Sequence, residues 1–436
     1  MPPAYDVVVI GAGAAGLAAA RDLADKGLNV VVLEARERIG GRVFTWHEPE
    51  NDLPIELGAE FIHGSADEVN DLLDEAGLAS IDVAGQRYAA SGKGLRRLDD
   101  FWEQLDRVMR RLLRPPARDR SFQEFLASRP GGRALARERR LALQWVEGFH
   151  AADPRVISAH ALAEGGYPGD DVEERRLGRV IAGYDRVIEF LAAPLAGRIR
   201  LGEVVTMVRW EAGRVAIEVR TPARGARVAV EARAVIVAVP LGVLKAAPDE
   251  TGAIEFRPAL TEKQKALDGL AVGSVMRVVL RLRERVWAPD YETLSFLHSS
   301  DRDLPTWWTA YPARAPLVVG WRGGPGAQAL TRLSVDELQS RAVSALARQL
   351  HVSRQRLRSL VDGFWTHDWE HDSFARGAYS YTVVGGSDAS KALARPLRRT
   401  LFFAGEATDT EGATGTVDGA IASGRRAAAQ VMRVLA

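Results

Sequence analysis

The segment YDVVVIGAGAAGLAAARDLADKGLNVVVLEA, residues 5–35, leaves the chain little choice of architecture. Tyr5 to Ile10 is a short apolar run that leads straight into GAGAAG. LAAARDLADKG then has helical spacing and stops at Gly27, and NVVVLEA is a second buried strand. In this strand, turn, helix and strand, Gly11 permits the tight turn and Gly13 lets the backbone approach a pyrophosphate, with Ala15 at the same helix start. Gly16 lets the helix lie close on the sheet. Glu34 ends the second strand 18 residues after Gly16, where a carboxylate accepts hydrogen bonds from a ribose. The unit predicts a Rossmann-like α/β domain that binds a dinucleotide.

At 436 residues the chain exceeds one ordinary core, so further domains are expected. A net charge of +1 offers no general attraction to nucleic acid or to an acidic membrane. The absence of cysteine excludes disulfides, thiol catalysis, thiolate metal sites and any cofactor linked through sulfur, and no metal is expected. No run of about 18 apolar residues occurs, and no basic segment with an apolar core precedes the first strand, so a cytoplasmic protein free of the membrane is expected. The Arg-rich stretches RRLLRPPARDR and GGRALARERR read as solvated helix faces and a loop, with acidic residues nearby.

The next element, RERIGGR, puts Arg36, Gly40, Gly41 and Arg42 just past the ribose acid and Ala35. Two guanidinium groups and a flexible backbone suit a second approach to the phosphates. Together with the glycine turn and Glu34, this element resembles the FAD-binding start of the flavin-containing amine oxidases, which include monoamine oxidases, polyamine oxidases and lysine-specific histone demethylases. The resemblance, and not the spacing, implies FAD; it extends over nearly the whole chain.

The chain becomes helical after Ile62 and returns to strands near RIRLGEVVTMVRW, where RVAIEV, the turn TPARGA, RVAVEA and AVIVAVPLGVL read as a meander returning to a buried strand. Trp-rich segments follow Arg285, and TLFFAGEAT is one more buried strand. The organisation expected, which the resemblance also implies, is an FAD domain of residues 1–85, 190–284 and 391–436, with a substrate domain of residues 86–189 and 285–390 inserted twice, mixing α/β and α+β character. At the C-terminal end, the small residues between Phe403 and Gly424 suit close backbone approach to a bound molecule, with the positive end of a helix pointing at it. The resemblance places Gly405 and Glu406 near the ribityl-phosphate, the N–H groups of Thr416 and Val417 at the pyrimidine edge of the flavin, Val205 at the adenine, and Gly58, Ala59, Glu60 and Phe61 along the isoalloxazine ring.

In HDWEHDSFARGAYSY, Trp369 and Tyr379 match the family's aromatic packed on the flavin and the aromatic in front of it. The second wall is Thr416, small and polar, as in polyamine oxidases and the demethylases. Ala378 stands where monoamine oxidases carry the cysteine bound to FAD, so FAD is expected to be noncovalent. His63 falls where several polyamine oxidases place a residue near the substrate amine, and Glu60 either assists a cationic substrate or lends only its backbone. The acidic run from Glu164 to Glu174 either faces distal amines or is a solvated loop. Arg277 aligns with the family lysine that holds a water near flavin N5; its longer planar head either occupies the place of the water or turns toward a carboxylate.

These matches imply oxidation of a monoamine, diamine or polyamine, with O2 as the acceptor and H2O2 as a product. An L-amino acid oxidase needs an arginine for the substrate carboxylate, and GAEF puts Phe61 at that position. An amine dehydrogenase reacting poorly with O2 is the other alternative. A flavoprotein recruiter would carry extra recognition modules, and none is visible.

Overall fold

The structure, a computed structural model, describes residues 4–48, 53–92, 94–112, 118–165, 175–221, 226–287 and 290–435. Residues 113–117 of the first Arg-rich stretch, 222–225 of the TPARGA turn and 166–174 of the acidic run lie outside the described residues.

The first sheet grows from the glycine motif. Strand Tyr5–Ile10 runs parallel to Val30–Leu33 on one side and to Ala226–Val237 on the other. Its apolar run is continuous because both faces are covered. Val7 and Val9 enter one core, with Leu17, Leu23 and the C-terminal helix Val417–Leu435. Val8 and Ile10 enter the other, with Val205, Ile217 and Phe403. The full order is Ile199–Arg200, Val30–Leu33, Tyr5–Ile10, Ala226–Val237, Arg214–Thr221, Val204–Glu211 and Glu255–Arg257, with Leu401–Phe403 also paired to Ala226–Val237.

Two expectations need correction. RVAVEA and AVIV are one strand, not successive strands of a meander. Its residues 226–232 pair antiparallel with Arg214–Thr221, and its end runs parallel to both Tyr5–Ile10 and Leu401–Phe403. The pattern changes from alternating to fully apolar where the sheet becomes buried on both faces, and that change mimics a break. The second correction concerns Val275–Leu282, which the expected boundary at 284 assigns to the first domain. It is hydrogen-bonded on both sides inside the second sheet.

That sheet has the order Val361–Thr366, Val275–Leu282, Leu317–Gly323, Thr306–Thr309, Leu294–His298, Gln86–Ser91 and Gly94–Arg97. Met276, Val278 and Leu280 point to a core shared with Leu338, Ala342 and Leu346 of helix Val335–Leu350. The period of two then aims Arg277 and Val279 at the opposite face, beside Phe296, Trp308 and Trp321. Helices Phe101–Met109, Phe122–Ala127, Ala136–Phe149 and Ala159–Glu164 share a further core. No helix among the described residues is long and apolar enough to cross a membrane.

Candidate active site

One cavity of 1370 Å³ is lined by the glycine motif, by the inner face of the second sheet and by the helical layer. Of the cofactor and substrate residues proposed from the sequence by number, all line it except Gly16. Gly16 acts behind the wall: a Cβ there would collide with the Gly11 carbonyl, and one at Gly424 with the Ala15 carbonyl. The first contact seats helix Ala14–Asp25 on its own turn and strand, and the second lets it meet helix Val417–Leu435 closely at the motif.

The dinucleotide end has the donors such a ligand needs. Helix Ala14–Asp25 starts at the cavity with no side-chain cap and no acidic residue in its first turn, so its N–H groups and dipole remain for a diphosphate. The Glu34 carboxylate is fixed by the N–H groups of Ala12 at 2.8 Å and Arg36 at 2.9 Å. A Cβ on Gly13 would come no nearer than 4.0 Å to another atom, so the backbone there is open to the cavity. These features fit FAD. The two arginines are more engaged than the sequence suggests: Arg36 pairs with Asp372 at 2.6 Å, and Arg42 with Glu406 at 2.9 Å and the Ala378 carbonyl at 2.5 Å. Glu406 also accepts from the Ser380 hydroxyl at 2.6 Å. Thr416 caps helix Val417–Leu435: its hydroxyl donates to Ala413 O at 2.7 Å and accepts from Gly419 N–H at 3.0 Å. The polar atom expected on the second wall is therefore already bonded.

The chamber beyond is aromatic. Trp369 donates from Nε1 to Leu57 O at 2.9 Å, which braces the Gly58–Phe61 segment. Tyr379 donates to Phe149 O at 2.6 Å, and its hydroxyl pKa is raised by burial and by Glu406. His63 meets Phe61 and Phe149 edge-on at 6.1 and 5.5 Å; burial lowers its pKa to about 4, so it is neutral at physiological pH. Glu164 lines the rim and is exposed.

Of the two alternatives open for Arg277, the structure shows the second. Arg277 turns toward a carboxylate, bonding Glu60 through Nη2 at 2.5 Å and Gly58 O through Nη1 at 3.1 Å. Glu60 is further held by Arg179 at 2.7 Å and by Trp308 Nε1 at 3.0 Å. Burial alone would raise its pKa, but Arg277 and Arg179 outweigh burial and lower it. Its carboxylate is thus engaged by three side chains of the protein itself. Trp145 and Phe149, stacked at 5.1 Å, were not legible as wall residues, because periodicity marks a helix face but not what the face meets. Phe296 and Trp308 sit in apolar strands whose alternation carries the same ambiguity.

Residues 14–432 match the family described as flavin containing amine oxidoreductase. Polyamine oxidase 2 of Arabidopsis thaliana is 31% identical over 467 residues, spanning 98% of this chain and 88% of that protein. Among solved structures, putrescine oxidase bound to putrescine has a TM-score of 0.82 at 23% identity over 98% of this chain and 99% of that one. Cyclohexylamine oxidase from Brevibacterium oxydans IH-35A has a TM-score of 0.82 at 21% identity over 100% of both chains. At these identities the structural likeness shows the fold, and the family match with the polyamine oxidase relative shows the kinship. The chain belongs to the flavin-containing amine oxidoreductases, with noncovalent FAD as its cofactor.

Proposed function

We propose that the protein oxidises an amine at the carbon next to nitrogen, giving an imine that water hydrolyses to a carbonyl compound and ammonia or a shorter amine. FAD, held at the glycine motif and Glu34, would supply the two-electron redox chemistry, with O2 as the final acceptor and H2O2 as its product. The observation that carries this reading is the continuity of one cavity from the glycine motif to the chamber of Phe61, His63, Phe149, Trp308 and Tyr379. In that chamber the rings exclude water and orient the α-C–H bond. Neutral His63 accepts a hydrogen bond from the amine, and the Tyr379 hydroxyl, held on Phe149 O, leaves its ring as a wall. The first sheet with its helices forms the cofactor domain; the second sheet and the helical layer form the substrate domain.

An amine dehydrogenase with poor O2 reactivity is the second reading, favoured by the engagement of Arg277 with Glu60. A screen of aryl monoamines, diamines, polyamines and amino acids, read both by anaerobic bleaching of the flavin and by peroxide, tests both. Bleaching with peroxide is expected. Bleaching without it selects the dehydrogenase, and no bleaching by any amine overturns the proposal.

A further inference from the structure

Among the described residues six arginines line the cavity, and five of them have acidic partners within 4.0 Å: Arg36, Arg42, Arg175, Arg277 and Arg322 pair with Asp372, Glu406, Asp106, Glu60 and Glu147. Arg87 is the sixth. It lies in strand Gln86–Ser91 opposite Phe296, and its guanidinium carbon is 4.2 Å from the Phe296 ring centroid, 5.1 Å from Phe101 and 5.7 Å from Trp102. No carboxylate among the described residues reaches it. Burial alone acts on its charge and lowers its pKa to about 10. The guanidinium stays protonated at neutral pH, supported only by aromatic faces.

His298 completes the arrangement. It stands two residues beyond Phe296 on the same side of the strand, stacked on Phe101 at 5.2 Å and on Phe296 at 6.2 Å, and it too lines the cavity. Its Nε2 is buried without a hydrogen-bond partner among the described residues. Burial and then the Arg87 charge lower its pKa to about 3, so it is a neutral ring able to donate one N–H. A half-buried cation lining the cavity, whose nitrogens make no hydrogen bond among the described residues, beside an unpartnered ring nitrogen, is an anion site that lacks its acceptor.

We propose that Arg87 and His298 form a subsite for a carboxylate at the far end of the substrate, so that the preferred amines are ω-amino carboxylates and not diamines. This rests on amine oxidation in the chamber of His63 and Tyr379. The spacing selects the distal position: Phe296 separates Arg87 from Phe61, with ring centroids 6.1 Å apart, and His63 lies a further 6.1 Å from Phe61. A carboxylate on the same carbon as the amine cannot reach both ends, whereas a spacer of several methylenes along the Phe61 and Phe296 rings can. A diamine would bring its second ammonium against a like charge in an aromatic wall. Among the described residues, Glu147 pairs with Arg322 at 4.0 Å and Glu164 sits exposed at the rim, so neither is bonded to Arg87.

Three probes of equal length test the subsite on the holoenzyme: ω-aminohexanoate, hexylamine and hexamethylenediamine. Second-order rate constants for anaerobic flavin bleaching are expected to fall in that order, with the carboxylate ahead of the diamine by about tenfold or more, as one charge-assisted contact implies. Arg87→Met should abolish the advantage and Arg87→Glu reverse it. Equal rates, or a faster diamine, in the parent enzyme overturn the subsite while amine oxidation stands. If none of the three bleaches the flavin, hexanoate binding decides the matter through tryptophan fluorescence, since Trp102 adjoins Arg87. Binding at least about tenfold tighter to the parent than to Arg87→Met supports the subsite; equal binding, or none, overturns it.

Discussion

Arg277 and Glu60 form a buried ion pair, Nη2 to Oε2 at 2.5 Å, with side chains 4% and 8% exposed. The pair is one edge of a larger cluster, because Arg179 holds the other carboxylate oxygen and Trp308 donates to both. Two guanidiniums share one carboxylate, so the cluster keeps a net positive charge behind the Gly58–Phe61 segment. Arginine at this position therefore serves as a brace and as a source of positive potential at once.

Replacing Arg277 separates these functions. In Arg277→Met, Glu60 and Arg179 neutralise each other and the net charge is lost. Reoxidation of the reduced flavin by O2 should slow by about tenfold or more, roughly 1.4 kcal/mol of barrier, while anaerobic reduction by amine changes less. Arg277→Lys should reoxidise at least as fast as the parent. Stopped-flow measurement of the two half-reactions is the check, and a parental reoxidation rate in Arg277→Met would leave only the brace.

Glu60→Gln removes the anion and leaves Arg277 and Arg179 facing a neutral amide. Breaking a buried pair from one side costs about 3–5 kcal/mol. The holoenzyme should unfold several degrees lower, and Glu60→Gln combined with Arg179→Met should recover part of the loss. An unchanged Tm in the single variant would mean that water solvates the cluster.

Ala378 lies in the cavity wall, and the chain has no cysteine. Acid or heat denaturation should therefore release all the yellow FAD into the supernatant. Flavin remaining with the precipitated chain would reveal a covalent link through another residue.

The dinucleotide end was legible because its chemistry is local: Gly11, Gly13 and Glu34 act within one strand, turn, helix and strand, where period and spacing are visible. The reacting chamber was legible only at positions with a family counterpart, such as Trp369 and Tyr379. Arg277 shows why the rest was hidden. Its partner Glu60 is 217 positions away, and the pairing depends on which face of Val275–Leu282 meets the Gly58–Phe61 segment. Arg87 was hidden for the opposite reason: in a chain with 52 arginines, its distinction is the lack of an acidic partner among the described residues, and that is a property of the folded wall alone.

An amine must lose its proton before oxidation, and free alkylamines have pKa values near the lysine value of about 10.4. The aromatic chamber penalises the ammonium form, and His63, neutral at any pH well above about 4, offers an acceptor. Anaerobic flavin reduction should accelerate from about pH 7 to pH 9. With a good amine substrate, a flat profile would count against deprotonation within the chamber.

Glu56 links stability to pH. Its carboxyl is buried between the Tyr184 N–H at 2.8 Å and the Thr45 hydroxyl at 2.7 Å; burial raises its pKa from 4.5 to about 8, against the lowering effect of those two bonds. The folded state therefore keeps a proton that the unfolded state has already released between these two values. With more protons bound in the folded state, stability is greatest below the unfolded pKa and falls as pH rises toward about 8, by up to about 1.4 kcal/mol per unit. Glu56→Gln preserves a neutral acceptor for Tyr184 N–H and removes the titration. Thermal unfolding of the two proteins should give similar Tm values at about pH 5, with the variant increasingly ahead toward about pH 8. If the gap between them stays constant over that range, Glu56 is ionised in the fold and the burial argument for it fails.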